Sequence, residues 1–97
     1  MNVARHVVFS GRVQGVGFRA FVEEVAARHG IEGWVRNRRA GTVEAVFEGA
    51  PGAVDSVITV CSRGPRSAEV VAVDQREATA DERALCGHDA FAMLPTV

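Results

Sequence analysis

The chain contains no lysine and no tyrosine, only two cysteines and one tryptophan, and no apolar run approaching the width of a bilayer. Each absence removes a class of function. Without lysine there is no Walker phosphate loop, which ends in Lys followed by Ser or Thr. Cys61 and Cys86 are too few and too differently placed for a disulfide framework or a metal site, so reduced thiols are expected. Neither sign of charge dominates: the net charge is −1 over 97 residues and the pI is near 6.3. That balance supplies no whole-domain attraction to nucleic acid or to a membrane surface. With no leader pattern and no spanning segment, a cytoplasmic location is expected. Paired carboxylates, a His–acid pair and a metal-ligand cluster are likewise missing.

What is present is ordinary globular material, 47% apolar and 24% charged, in a length suited to one core. A single domain over residues 1–97 is expected. The stretch around which the chain is organised is Gly11-Arg12-Val13-Gln14-Gly15-Val16-Gly17-Phe18-Arg19. It follows the apolar run Val7-Val8-Phe9, which reads as a strand, and leads into an amphipathic helix beginning at Phe18. A glycine-rich turn between strand and helix aims backbone N–H groups at one point. The first helical turn has unpaired donors and the positive end of the helix dipole, so an anion binds there readily. Arg19 adds a planar, permanently charged fork suited to two oxygens of a phosphate or carboxylate. The glycine order differs from the dinucleotide fingerprint Gly-x-Gly-x-x-Gly, so this is a different cradle. Arg12, Arg19, Arg36, Arg38 and Arg39 fall in two short regions that would form a positive pocket if the fold brought them together.

The remaining elements follow from periodicity. Residues 4–10 read as a central strand with Val7 and Phe9 facing the core. Phe18, Val22, Val25 and His29 recur at helical spacing before Gly30, with His29 read as a capping or surface histidine. Residues 31–38 and 42–48 read as strands joined by the hairpin loop Arg39-Ala40-Gly41. In the second of these, Val43, Ala45 and Phe47 share the core face, leaving Thr42, Glu44 and Glu48 on the other. Pro51 opens a second helix whose stripe is Val54, Val57, Ile58 and Cys61, and Gly64-Pro65 ends it. Cys61 on that stripe reads as a small core residue. Residues 68–76 read as a fourth strand, 78–89 as a polar loop, and 90–94 as a short last strand through Phe91 and Met93. The Cys86–His88 pair in that loop has no third partner for nucleophilic chemistry.

The order β-α-β-β-α-β predicts an α+β fold, a ferredoxin-like split βαβ sandwich. An antiparallel sheet would carry two helices on one face, its first and third strands central, with a short extra C-terminal strand. The expected core is Val7, Phe9, Phe18, Val22, Val25, Val35, Val43, Phe47, Val54, Val57 and Ile58.

The residues 11–19 resemble the first signature of the acylphosphatase family. Gly33-Trp34-Val35-Arg36-Asn37, with Gly41, Val43 and Gly49 beyond it, resembles the second, and Gly64-Pro65-x-x-Ala68-x-Val70 a further family segment. The resemblance implies the same sandwich fold and hydrolysis of carboxyl-phosphate anhydrides without metal or cofactor. It implies that Arg19 binds phosphate, that Asn37 orients the attacking water, and that the N–H groups of Gln14, Gly15, Val16, Gly17, Phe18 and Arg19 form the cradle. The substrate would be a small acyl phosphate and the enzyme a monomer, with no nucleic-acid or membrane partner. Ala40 stands where many members carry an acidic residue. The chemistry suits so few residues. The leaving group is a carboxylate, stable as an anion, so what remains is to hold phosphoryl and water in line and to stabilise charge on the equatorial oxygens.

Two other readings share the fold. One is a non-catalytic phosphate- or anion-binding regulatory module that keeps the cradle. The other is an RNA-binding module, suggested by Gly17-Phe18-Arg19-Ala20-Phe21. Those aromatics fall at a loop–helix junction rather than on a central strand where bases would stack.

Overall fold

Alternation along β1 (Val3–Arg12) sends Val7 and Phe9 to one face of a sheet and Ala4 and His6 to the other. The computed structural model describes residues 1–86 and 90–97. α1 (Phe18–Arg28) and α2 (Pro51–Arg63) lie on the Val7/Phe9 face, against β2 (Glu32–Asn37), β1 and β3 (Val43–Gly49). β4 (Glu69–Glu77) forms one edge and the two-residue β5 (Ala92–Met93) the other, giving the strand order β4-β1-β3-β2-β5. β1 is therefore central, antiparallel to both β3 and β4. This is the split βαβ sandwich expected from the element order.

All eleven expected core residues are buried, and Val13, Ala26, Ile31, Ala45, Cys61 and Phe91 join them in one cluster between helices and sheet. Each fully buried Val or Phe side chain contributes roughly 1.5–3 kcal/mol relative to exposure. Pro51 stands in the first turn of α2 and Gly64, at φ 67°, closes it, as their positions in the chain suggested. His29 caps α1, its Nδ1 donating to the carbonyl of Val25 at 2.9 Å.

Three expectations need correction. β5 runs parallel to β2, pairing Trp34 with Ala92 and Val35 with Met93, so the sheet is mixed rather than antiparallel throughout. The segment read as a polar loop contains a helix, α3 (Ala80–Ala84). Its start is a capping box: Thr79 accepts from the Glu82 N–H while the Glu82 carboxylate accepts from the Thr79 N–H. The third concerns Glu44, which lies not on a solvated face but buried beside His6, so a His–acid pair expected to be missing is present, on the face away from the helices. Trp34, Val46, Ala4 and Ala78 make a second apolar cluster on this outer face, and the indole N–H of Trp34 donates to the carbonyl of Glu82 in α3. α3 thus covers part of a face that the strand pattern alone would leave wet. Cys86 packs against the same cluster; His88, its expected neighbour, falls in 87–89, outside the described residues.

Burial of Glu44 is tolerable because its charge is matched. Desolvation raises its carboxyl pKa, but hydrogen bonds from His6 (2.8 Å) and Arg36 (2.6 Å) outweigh that and hold it below the ordinary value.

Candidate active site

β1 ends at Arg12, and five residues, 13–17, separate it from the start of α1 at Phe18. The turn between them is possible because Gly15 and Gly17 take φ 72° and 78°, a left-handed conformation costly for residues with a Cβ. Phe18 then anchors the helix start in the core, packed edge-to-face on Phe9 with ring centroids 5.1 Å apart. The first turn of α1 carries no acidic side chain and no side-chain cap, so no internal carboxylate occupies the positive end of the dipole. Among the described residues, no carbonyl or side chain accepts from the N–H groups of Gln14 to Gly17.

The turn is held from two sides. Nε2 of Gln14 donates to the carbonyls of Arg38 (2.7 Å) and Thr42 (2.9 Å), which flank the β2–β3 hairpin loop. Oγ of Ser67 donates to the carbonyl of Val16 at 2.7 Å. The Gln14 bonds tie the turn to the end of β2, where Asn37 stands, and the Ser67 bond ties it to the segment between α2 and β4. Reading the sequence missed both, since they join side chains to backbone atoms far away along the chain.

Between turn and strand lies a cleft of about 170 Å³ lined by Gly15, Gly17, Arg19 and Asn37, with Val13, Phe18, Ala20 and Met93 as its apolar part. Arg19 and Asn37, one at the helix start and one at a strand end, thus share one cleft. Oδ1 of Asn37 is buried and has no hydrogen-bond partner among the described residues. A buried amide oxygen in that condition is costly unless something from solvent or substrate satisfies it. Gln14 and Val16 belong to the turn but do not line the cleft. Met93 lines it and was not singled out by any motif; its signal was only its place in the last apolar strand.

The five arginines do not converge. Arg19 is the basic residue lining this cleft, whereas Arg36 turns to the outer face, 4.5 Å from the Trp34 ring centroid and bonded to Glu44. Arg38 also faces that side, in a separate cleft with His6, Glu44, Asp74, Arg76 and Glu82. Of the five arginines, Arg19 is the one that lines this cleft, at the positive end of the α1 dipole.

Chemically, the cleft offers donors to an oxyanion at one end and an amide that can both accept from water and donate to an oxygen at the other. Among the described residues no group of three or more His, Cys, Asp or Glu is placed to hold a metal ion.

Fold and cleft together define an α+β protein of the split βαβ type with a cleft at the N-terminus of its first helix lined by Arg19 and Asn37. The acylphosphatase family model matches residues 5–93. An acylphosphatase of Bradyrhizobium diazoefficiens is 51% identical over 92 residues, covering 94% of this chain and 93% of the relative. The crystal structure of acylphosphatase from Bacillus subtilis superposes with a TM-score of 0.84 at 34% identity, covering 97% of this chain and 99% of that one. Full-length HypF in its phosphate- and nucleotide-bound form gives 0.83 at 26% identity over 99% of this chain, which spans 12% of that protein. The chain belongs to the acylphosphatase family, hydrolases of the carboxyl-phosphate bond.

Proposed function

We propose that Arg19 and the backbone N–H groups from Gln14 to Arg19 hold the phosphoryl group of an acyl phosphate, that Asn37 orients the attacking water, and that no metal or cofactor takes part. The observation that carries this reading is the buried, unpartnered Oδ1 of Asn37 in the cleft that Arg19 also lines. That oxygen accepts a hydrogen bond from the water and so turns a lone pair of the water oxygen towards phosphorus, while the amide NH₂ donates to a phosphoryl oxygen. An amide is a poor base, so the proton of the water passes to a phosphoryl oxygen of the substrate. The P–O bond to the acyl group breaks as the new P–O bond forms, and the carboxylate leaves as a stable anion without a general acid. Arg19 and the helix terminus stabilise charge on the equatorial oxygens throughout. The same reading takes the enzyme as a cytoplasmic monomer acting on a small molecule, in keeping with its balanced charge.

Phosphate release from acetyl phosphate in the presence of EDTA tests this, with Arg19→Ala and Asn37→Ala compared by circular dichroism for folding. Each substitution is expected to lower kcat by about 10²–10³ or more, the loss seen when one preorganised oxyanion donor is removed. Folded variants with near wild-type rates, or activity that EDTA abolishes, would refute the assignment.

A further inference from the structure

The phosphoryl end of the substrate has a site, but the acyl end must leave the 170 Å³ cleft somewhere. Its apolar side is formed by Ala20 on α1 and Met93 on β5. Ala20 also lines a second, larger groove of about 600 Å³ between α1 and the chain leading into β5, floored by Ala27, Ile31 and Phe91. Ala20 of α1 lines both clefts, and Phe91 of the one stands two residues before Met93 of the other, so they adjoin at Ala20.

The rim of the groove has a definite sign. Glu23, Glu24 and Glu32 line it, and no basic side chain does among the described residues. Glu24 is ion-paired with Arg28 one turn on, so Glu23 and Glu32 supply the field. One helical turn, about 5.4 Å, separates Ala20 from the level of Glu23 and Glu24. A substituent one ring's width beyond a substrate carbonyl reaches that level.

Resting on the catalytic assignment above, we infer that the α1–β5 groove receives the acyl group and selects acyl phosphates whose acyl part is apolar near the anhydride and neutral or positively charged further out, discriminating against a second carboxylate. The phosphoryl end is read by cations and N–H groups, the acyl end by an apolar floor with an anionic rim. A dicarboxylate mono-phosphate would place its free carboxylate beside Glu23 and Glu32, where like charges repel.

The test compares acetyl phosphate, benzoyl phosphate, 4-(trimethylammonio)benzoyl phosphate and 4-carboxybenzoyl phosphate, each kcat/KM divided by the compound's uncatalysed hydrolysis rate. Wild type should favour the ammonium compound over the carboxylate by about three- to tenfold, the range for a charge pair at partly solvated distance, and less at high ionic strength. In Glu23→Gln/Glu32→Gln the ratio should fall towards one; Glu32→Gln alone should take it part of the way. Turnover of acetyl phosphate with the same ratio in wild type and variants would overturn the groove assignment alone. Absence of acetyl phosphate turnover would overturn the catalytic reading and this inference with it.

Discussion

Nε2 of Gln14 lies 2.7 Å from the carbonyl oxygen of Arg38, so the cradle and the strand end bearing Asn37 are joined by a side chain that does not itself line the cleft. The Gln14 amide makes a second bond at 2.9 Å to Thr42, spanning the hairpin loop. Its loss removes the side-chain donor from two carbonyls that keep their backbone donors, Gly41 N–H and Arg38 N–H, and unties the glycine turn from the strand end bearing Asn37. Gln14→Ala is expected to lower stability by about 1–2 kcal/mol and kcat/KM by about tenfold. Urea unfolding and acetyl phosphate kinetics on the same preparations measure both.

Glycines in this chain are not equally replaceable. A Cβ on Gly15 meets no atom within 4 Å, so Gly15→Ala carries only the backbone strain of φ 72°, about 1 kcal/mol. A Cβ on Gly33 would stand 1.8 Å from the carbonyl oxygen of Val46 on the neighbouring strand. Gly33→Ala must force β2 and β3 apart, and a loss of about 4 kcal/mol or more is expected. Thermal melting separates the two: Gly15→Ala stays cooperative near the wild-type Tm, and Gly33→Ala is largely unfolded.

Acid stability should depend on Glu82. Its bidentate pairing with Arg76, at 2.7 and 2.8 Å, pulls its carboxyl from 4.5 down to about 2. Between those values the native chain binds fewer protons than the unfolded one, so stability rises with pH. The contribution is complete above about pH 4.5 and is lost as pH falls towards 2. Because Arg76 is about half exposed, solvent screening keeps it near 1 kcal/mol. Glu82→Gln should flatten this part of the acid-unfolding curve. Thr79→Ala, which removes the cap of α3, should cost about 1 kcal/mol. Fluorescence of the single, fully buried Trp34 reports both.

The thiols should be bystanders. Burial pushes Cys61 up to about 12 and Cys86 up to about 11, so neither is a thiolate near neutrality. Cys86 packs with Trp34 on the outer face, whereas the Arg19–Asn37 cleft opens beside α1. Native protein should react slowly with a thiol reagent and rapidly once unfolded. Cys86→Ala should turn over acetyl phosphate within about twofold of wild type; a large loss would reinstate a nucleophile in the 78–89 segment.

What could be read from the residues followed the range of the interactions. Strand, glycine turn, Phe18 and Arg19 are contiguous, so their order alone carried the strand–turn–helix arrangement at the cleft. Val54, Val57, Ile58 and Cys61 exposed α2 through period alone. Glu44 defeated the same logic: alternation put it outside correctly, but its burial depends on His6, Arg36 and α3, which strand periodicity does not encode. α3 did have a local signal, Thr79-x-x-Glu82, too short a helix to show a stripe. The Gln14 side-chain bonds had none, and Met93 only its place in the last apolar strand, because each acts across a distance that only the folded sheet closes.

The position of β1 bears on how the molecule comes into being. Both its neighbours lie downstream, with Phe9 opposite Val43 on one side and Arg5 opposite Glu77 on the other. A nascent chain whose fourth strand is still inside the ribosome exposes one edge of β1, a stretch holding Val7, Val8 and Phe9, to any strand that will pair with it. The glycine turn after β1 is then tethered at its strand side to an unfinished sheet. Synthesis must run past Glu77 before the central strand is enclosed, so the sheet closes only when most of the chain has been made.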